Sequence, residues 1–473
     1  MARNLNRSRR DFLKVAGMAA AGLAATSLLQ ACQPQAAAPA PGQSGKPAGP
    51  AKVTGKFQFI MKQDWNKVHN EYIRNELLNY GKEKGWDMDV SYTEGFAAGG
   101  SIIVKLTASV QAGDPPDGMF QDQVSLYQLQ FLDLVVPIDD LVTEAMKTWG
   151  EPAPRIKKES FIDGKWYGMP WIVLSGAMWT RKDYFEAAGI KDLDKSLDTW
   201  DHARDACMQV SDPTKQIWGW GNTINRSSDG HNMVLLPIQG WGGSLCDETG
   251  QFITLNSPET IEAVKWLYET HSSPKFEKMR PPGLGSWTDP SNNEAFLANK
   301  IAYTYNGGTL YAQGLQEKWP NAKNVVAMKY PGGPKRRLHA LNGPTFFTFK
   351  GSKNFDAFRE ITQYMVSVDK IKFLCENSPG WCLPAFTKMW SDEIEKLNPN
   401  NPLFKDISLG SDYNGTPYPG PNTPAAAACT AANVFTDMMG SVMGGQKPED
   451  AVKSAHDRAI QIYKEFGMKA VKS

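Results

Sequence analysis

The chain has 473 residues, 41% of them hydrophobic, and its 51 Lys plus Arg nearly balance 50 Asp plus Glu. With no block of basic residues, that balance excludes a protein steered to nucleic acid by its own field. The six histidines are scattered without HxH, HExxH or zinc-ribbon spacing, which argues against a metal site.

The N-terminus is read first. Arg9-Arg10 precedes an uncharged Ala, Gly and Leu-rich stretch from Val15 to Leu29, which ends in Leu29-Gln30-Ala31-Cys32. Charge, a short apolar run and a small residue at the cut site mark a secretory signal. The apolar run is shorter than the roughly 20 residues of a membrane-spanning helix. The arginine pair resembles the twin-arginine export signal. The end resembles a bacterial lipobox, with Gln30 where a small residue is usual, so residues 1–31 are expected to be removed and Cys32 acylated. From Gln33 to Ala51 only Gln, Pro, Ala, Gly, Ser and one Lys occur. Such a stretch has no side chains for a core, and 32–52 is read as the lipidated cysteine and a flexible tether.

The body, about 420 residues from Val53, is too long for one core and predicts two lobes. Phe57 to Met61 reads as a strand, Ile73 to Tyr80 as a helix, and Met88 to Tyr92 as a second strand. Ile102, Leu106 and Val110 mark another helix, which stops at Gly113-Asp114-Pro115-Pro116-Asp117 before a short strand at Met119-Phe120. This alternation predicts an α/β lobe with a largely parallel sheet. A second series follows. It has a strand over Ile172 to Trp179, a short helix over Tyr184 to Ala188, and a helix from Thr199-Trp200-Asp201 to Met208. A strand at Trp218 to Gly221 comes next. Ser257-Pro258-Glu259 has the residues of a helix start, with Ile261, Val264, Leu267 and Tyr268 as its buried stripe. Pro448 opens a last helix, with Val452, Ala455, Ala459, Ile462 and Phe466 facing inward and Gly467 closing it. Five cysteines remain after Cys32, an odd number, so outside the cell at least one is a free thiol or pairs between molecules. Cys375 and Cys382 are near enough in sequence for a disulfide.

In this order of elements lie motifs that resemble the bacterial extracellular solute-binding proteins of family 1, the carbohydrate-binding subunits of ABC importers. Gly113-Asp114-Pro115-Pro116-Asp117 matches the family's G-x-x-P-D turn, and Asp163-Gly164-Lys165-Trp166-Tyr167-Gly168-Met169-Pro170 its D-G-K-x-Y-G-x-P hairpin. The stretches Thr180 to Gly189, Thr199-Trp200-Asp201, Ala295 to Ala302 and Gly444 to Ala451 match further segments, with Asn299 where Gly is usual. Each motif alone has a structural reading, since Gly and Pro end helices and Asp-Gly favours tight turns in any fold. The resemblance spans the mature chain. It implies a two-lobed α/β fold of the periplasmic-binding-protein type, with a ligand cleft between lobes joined by hinge crossovers. The crossings are expected near Trp171, Met328 and Ser378, giving one lobe from 53–172 with 329–378 and another from 173–328 with 379–473.

The resemblance also implies a sugar ligand, no cofactor, no catalysis, membrane permease subunits as partners and a monomer. Sugars offer flat apolar faces for aromatic rings and hydroxyls for planar polar groups. Candidate contacts are Asp64 and Trp65 after the first strand, Gln121 and Asp122 in Gln121-Asp122-Gln123, and Trp171 after the Gly-Met-Pro turn. In the second series they are Trp241 and Gly242, Tyr305-Asn306-Gly307, and Trp381, placed to close the cleft. Thr309 stands where the family carries a stacking Trp. Each aromatic has core packing as its alternative role, and Asp64 and Asp122 have solvation or helix capping as theirs. A secreted glycosidase is the enzyme alternative, needing two carboxylates across a scissile bond, and polyamines or glycerol phosphates are alternative ligands on the same fold.

Overall fold

The computed structural model of the protein describes residues 51–93, 99–122, 124–410 and 415–472. The expected signal peptide, Cys32, nearly all of the linker and Gln123 lie outside the described residues. The strands are β1 (Phe57–Met61), β2 (Met88–Tyr92), β3 (Gly118–Gln121), β4 (Phe161–Ile162), β5 (Lys165–Trp166), β6 (Met169–Pro170) and β7 (Ile172–Arg181). They continue with β8 (Trp218–Trp220), β9 (Ile301–Gly307), β10 (Val325–Met328), β11 (Leu341–Asn342), β12 (Thr345–Phe347) and β13 (Cys382–Pro384).

Two sheets organise the molecule. The first runs β2-β1-β3-β12-β6 and the second β10-β7-β9-β8. In the first, β1 pairs parallel with β2 and β3, while β12 pairs antiparallel with β3 and β6. The expected largely parallel sheet is therefore parallel in one half only, because β12 arrives from the distant second series and runs the other way. Along β1, Phe57, Phe59 and Met61 point inward and Gln58 outward, the alternation of a half-covered strand.

β7 is different. All ten of its residues are buried, as expected of a strand covered on both sides. Its first half pairs with β11, at Leu341 opposite Ser175, and with β13, at Leu383 opposite Val173. Its second half pairs with β9 and β10, at Thr304 and Ala327 opposite Trp179. One strand thus runs from the first lobe into the second, and most of its apolar side chains belong to a hydrophobic core that is continuous from Phe57 through Val173 and Trp179 to Phe404, while Met178 belongs to the other core. A separate core around Trp200, Trp220, Trp266 and Val452 fills the outer part of the second lobe. Residues 385–390, which the expected division assigns to the second lobe, bond to the first: Ala153 N–H donates to Ala385 O at 2.7 Å and Thr387 N–H to Glu151 O at 2.9 Å.

Helix caps explain where the helices start. Asn66 accepts from Val68 N–H, so the first helix is Lys67–Glu83 and begins well over a turn before the expected Ile73. Thr199 caps Trp200–Val210 and Ser257 caps Pro258–Ser272, as read from the sequence. The buried stripe of Pro258–Ser272 is displaced: Ala263, Val264, Trp266 and Leu267 are buried, while Tyr268 is 39% exposed. Trp266 sets that rotation, because its ring meets Trp200, Trp220 and Trp241. In Pro448–Glu465, Tyr463 takes the buried position expected for Ile462. The helix Ser228–Trp241 has no sequence counterpart above; Pro237 sits inside it, and it is buried almost all round from Met233 to Gly240. The β4–β5 hairpin turns on Asp163 and Gly164, both at positive φ, as Asp-Gly predicts. The five cysteines described are free thiols, and in place of a disulfide Cys375 donates its S–H to Cys382 O over 3.0 Å.

Candidate ligand cleft

The carboxyl ends of β1 and β3 lead into loops on one edge of the first sheet, the usual place for ligands in open α/β sheets. Asp64 is fixed there. Its N–H donates to Asn70 Oδ1 at 2.7 Å, Asn70 Nδ2 donates back to Asp64 O at 2.7 Å, and Asp64 Oδ1 accepts from Asn66 N–H at 2.8 Å. Trp65 beside it is half-buried. Gln121 is buried and donates to Thr93 Oγ1 at 3.2 Å, while its carbonyl accepts from Asp122 N–H at 2.8 Å.

Asp122 is the most constrained group of this wall. Its Oδ2 accepts from Lys62 Nζ at 2.9 Å and from Asn342 Nδ2 at 3.3 Å. Both partners of the ion pair are nearly inaccessible, at 7% and 4% side-chain exposure for Lys62 and Asp122. Burial alone would lower the Lys62 pKa, but Asp122 and Asp64 outweigh it and hold the ammonium above its ordinary value. The other carboxylate oxygen, Asp122 Oδ1, is buried and meets no partner among the described residues. A buried carboxylate oxygen without a donor costs free energy. On the helix Pro154–Ser160, Arg155 pairs with Glu159 at 2.5 Å, and burial pushes the Glu159 carboxyl up against the opposing pull of Arg155.

The second lobe contributes an amide-rich patch at the N-terminus of Ser228–Trp241 and the end of β9. Asn306 Nδ2 donates to Asn292 Oδ1 at 3.1 Å, to Asp229 Oδ2 at 3.2 Å and to Asn293 Oδ1, and its own Oδ1 accepts from Thr309 at 2.9 Å. Asn292 donates to Asp229 Oδ2 at 2.9 Å and to Tyr305 O at 2.8 Å. Asp289 accepts from the N–H groups of Ser228 and Asp229 and caps the helix. Burial, and then the Asp289 charge, hold the Asp229 carboxyl well above the usual carboxylate range.

Trp381 joins the two walls. Its indole N–H donates to both oxygens of Asp64 at 3.2 Å. Its ring lies directly on Gly307, where a Cβ would collide with it, and a Cβ on Gly308 would collide with Gly380 O. Glycine is required at both positions for this approach. The half-buried Trp381 thus stands where the β1 loop, β9 and the β13 crossover converge. On the same side Lys158 Nζ donates to Gly420 O at 3.4 Å, and Phe131 meets Phe466 with ring centres 5.6 Å apart, so the lobes touch.

The structure brings together Asp64 with its neighbour Trp65, Gln121, Asp122, Asn306, Gly307 and Trp381 and separates Trp171, Trp241, Gly242 and the Tyr305 ring from them. Trp171 is fully buried between Phe120 and Phe346, a core residue of the first lobe and not a cleft wall. Trp241 ends the helix that Asp229 begins, about 18 Å further along its axis at 1.5 Å per residue. There Trp241 packs on Trp266, and Gly242 is the left-handed residue that ends the helix. Tyr305 is buried, stacked on Tyr330 at 5.4 Å, so only its backbone serves the amide patch. Sequence reading missed Lys62, Asp229, Asn292, Asn293 and Asn342. A lysine directly after an apolar strand and the Asn292-Asn293 pair were the available signals. Among the described residues no group of three or more His, Cys, Asp or Glu is placed to hold a metal. No helix among them is long and apolar enough to cross a membrane. A cavity of about 230 Å³ lies at the opposite end of the first sheet, lined by Lys56, Asp114, Asp117 and Lys353.

This architecture, two α/β lobes sharing a through-running strand, is that of the two-lobed solute-binding proteins. It aligns with a solute binding protein from Thermotoga lettingae bound with α-D-tagatose, at TM-score 0.71 and 18% identity over 87% of this chain and 100% of that one. It aligns equally with the GacH receptor of Streptomyces glaucescens, studied with acarbose, at TM-score 0.70 and 18% identity over 87% and 99%. The family described as bacterial extracellular solute-binding protein matches residues 67–370, and the chain belongs to it. Diacetylchitobiose binding protein DasA of Streptomyces coelicolor is 22% identical over 362 residues, 74% of this chain and 78% of that protein. A binding protein of Brucella abortus is 23% identical over 270 residues, 57% of this chain, and the match spans 62% of that protein's length.

Proposed function

We propose that the protein is the extracytoplasmic substrate-binding subunit of an ABC importer, holding a sugar or oligosaccharide in the interlobe cleft and delivering it to membrane permease subunits. The observation that carries this reading is the arrangement around Trp381: an aromatic face with a fixed carboxylate on its edge, near a second carboxylate whose Oδ1 meets no donor among the described residues. Aromatic faces suit the apolar side of a pyranose, and carboxylates and amides suit its hydroxyls. The sugars named for its structural relatives, among them tagatose, maltose and acarbose, support the ligand class. The ligand contacts are Asp64, Trp65, Gln121, Asp122 and Trp381 with the amide patch around Asn306. In this reading the protein acts as a monomer without catalysis or cofactor, exported by the twin-arginine signal and tethered through acylated Cys32. The lobes divide near Trp171, Met328 and Ser378, with 385–390 moving with the first.

The experiment is a thermal-shift screen of the chain without its first 31 residues against mono- and oligosaccharides, polyamines and glycerol phosphate, with chromatography of the recovered ligand. A sugar at about a hundredfold over its Kd adds roughly 2.7 kcal/mol to stability and is recovered intact. Stabilisation by a polyamine or glycerol phosphate alone would move the ligand class, and shortened oligosaccharide would move the chain to the glycosidases.

A further inference from the structure

Directly behind Trp381 lies a buried polar chain that the cleft does not use. His69, Ser378, Cys375 and Cys382 are each at most 1% exposed. Ser378 Oγ lies 3.0 Å from Leu374 O and 2.6 Å from His69 Nε2, and with its own proton on Leu374 O it accepts from His69 Nε2. The imidazole proton is therefore on Nε2, and Nδ1 is left to accept from Cys382 Sγ at 3.2 Å. Burial favours this neutral form, since it lowers the His69 pKa. Every donor in the chain has one acceptor, running from Cys382 through His69 and Ser378 to Leu374. His69 sits in the first turn of Lys67–Glu83, which Asp64 and Asn66 open, whereas Ser378 and Cys382 flank Trp381 on both sides. Trp381 N–H itself donates to Ser378 O at 3.0 Å.

We propose that His69 is a positioning residue of the ligand cleft: its neutral imidazole ties the 378–382 crossover to the helix behind Asp64 and so sets the face that Trp381 presents. Two anchors then hold one ring, Asp64 on the indole N–H and His69 on the loop beneath. A buried Ser–His contact can resemble a nucleophile and its base, but here the hydroxyl is spent on Leu374 O and shielded from solvent, so its role is geometric. The inference rests on the reading of Trp381 as a ligand platform, and its test uses no ligand, so the two can fail separately.

The test is the indole N–H spectrum of the uniformly 15N-labelled mature protein, with the Trp381 signal assigned by its loss in Trp381→Phe. His69→Phe is expected to move the Trp381 signal and speed its exchange with water several-fold while the other tryptophan signals stay in place. His69→Gln, which keeps a donor and an acceptor, returns the signal toward wild type. Should His69→Phe fail to fold, Ser378→Ala breaks the same chain with a smaller change and is expected to move the same signal. A Trp381 signal unmoved in the folded variants would overturn the proposal. Equal displacement by Phe and Gln would overturn the hydrogen-bonded role.

Discussion

At the scale of the residue, three of the four tryptophans nominated for the cleft occupy different environments. Trp381→Ala is expected to weaken sugar binding at least tenfold with cooperative unfolding close to wild type. Trp171→Ala is expected to cost about 3 to 5 kcal/mol of stability, the range for emptying a buried aromatic site. Trp241→Ala belongs with Trp171, lowering stability while leaving affinity unchanged. Parallel calorimetric titrations and denaturant melts separate the classes, and undiminished affinity in Trp381→Ala would remove that ring from the site. Sequence could not sort them because a Trp beside Gly or Pro reads the same whether its loop lines a cleft or ends a helix. The place of Asp64 and Asp122 in the fold was legible because residues that follow apolar strands fall at the carboxyl edge of a parallel sheet. Lys62, which holds Asp122, was not, since its partner is distant in the chain. Histidines give the pH prediction. Burial leads in lowering His231 and His271 to about 4 and His339 to about 3. Their folded pKa values lie below the unfolded value of about 6.5, so the stability they contribute is complete above pH 6.5 and lost as pH falls toward 4. Asp229, raised on folding, opposes this trend by favouring the folded state at low pH. Urea melts from pH 8 to pH 4 should show the midpoint falling below pH 6.5; a midpoint that stays level or rises would contradict this balance.

At the scale of the element, local chemistry was the reliable guide where a cap was written into the chain. Ser257 and Thr199 begin helices as read, and Ser257→Ala should cost about 1 kcal/mol, measurable as a lower denaturation midpoint with unchanged slope. No change would mean that Pro258 and Glu259 start the helix without it. Periodicity was less reliable. The stripe on Pro258–Ser272 is displaced because Trp266 is drawn into a cluster with Trp200, Trp220 and Trp241 that comes from three distant segments. The helix Ser228–Trp241 escaped reading because its first turn is polar, its run from Met233 to Gly240 is buried almost all round, and Pro237 sits inside it, so no stripe appears. That helix carries Asp229 to the cleft, and losing it from the reading lost the amide patch as well. The strands β1, β2 and β3 were legible as short apolar runs between helices, whereas β12 went unread and its reversed direction is a fact of long-range pairing.

At the scale of the molecule, β7 couples the lobes. Its halves pair with different strands around Gly176, where a Cβ would meet Tyr330 and the Asn306 carbonyl. A hinge of a few residues can absorb the rotation of lobes that move as rigid bodies. A ligand touching both walls favours the closed arrangement only by its differential affinity for it. The contacts of Lys158 with Gly420 and of Phe131 with Phe466, present in this structure, would be lost if the lobes opened and so add to that preference. The two-lobed class and the shared crossover were legible in the order of motifs, whereas the identity of the contacts needed the packing of distant loops.

The central claim is that the cleft binds a sugar and leaves it unchanged, and isothermal titration calorimetry of the mature protein with an oligosaccharide panel tests it most directly. The account predicts a saturable heat for one site, a negative heat-capacity change from burial of the sugar's apolar face on Trp381, and a return to baseline after each injection. Saturation by none of the sugars, or a heat that continues after each injection as bonds are hydrolysed, would contradict it.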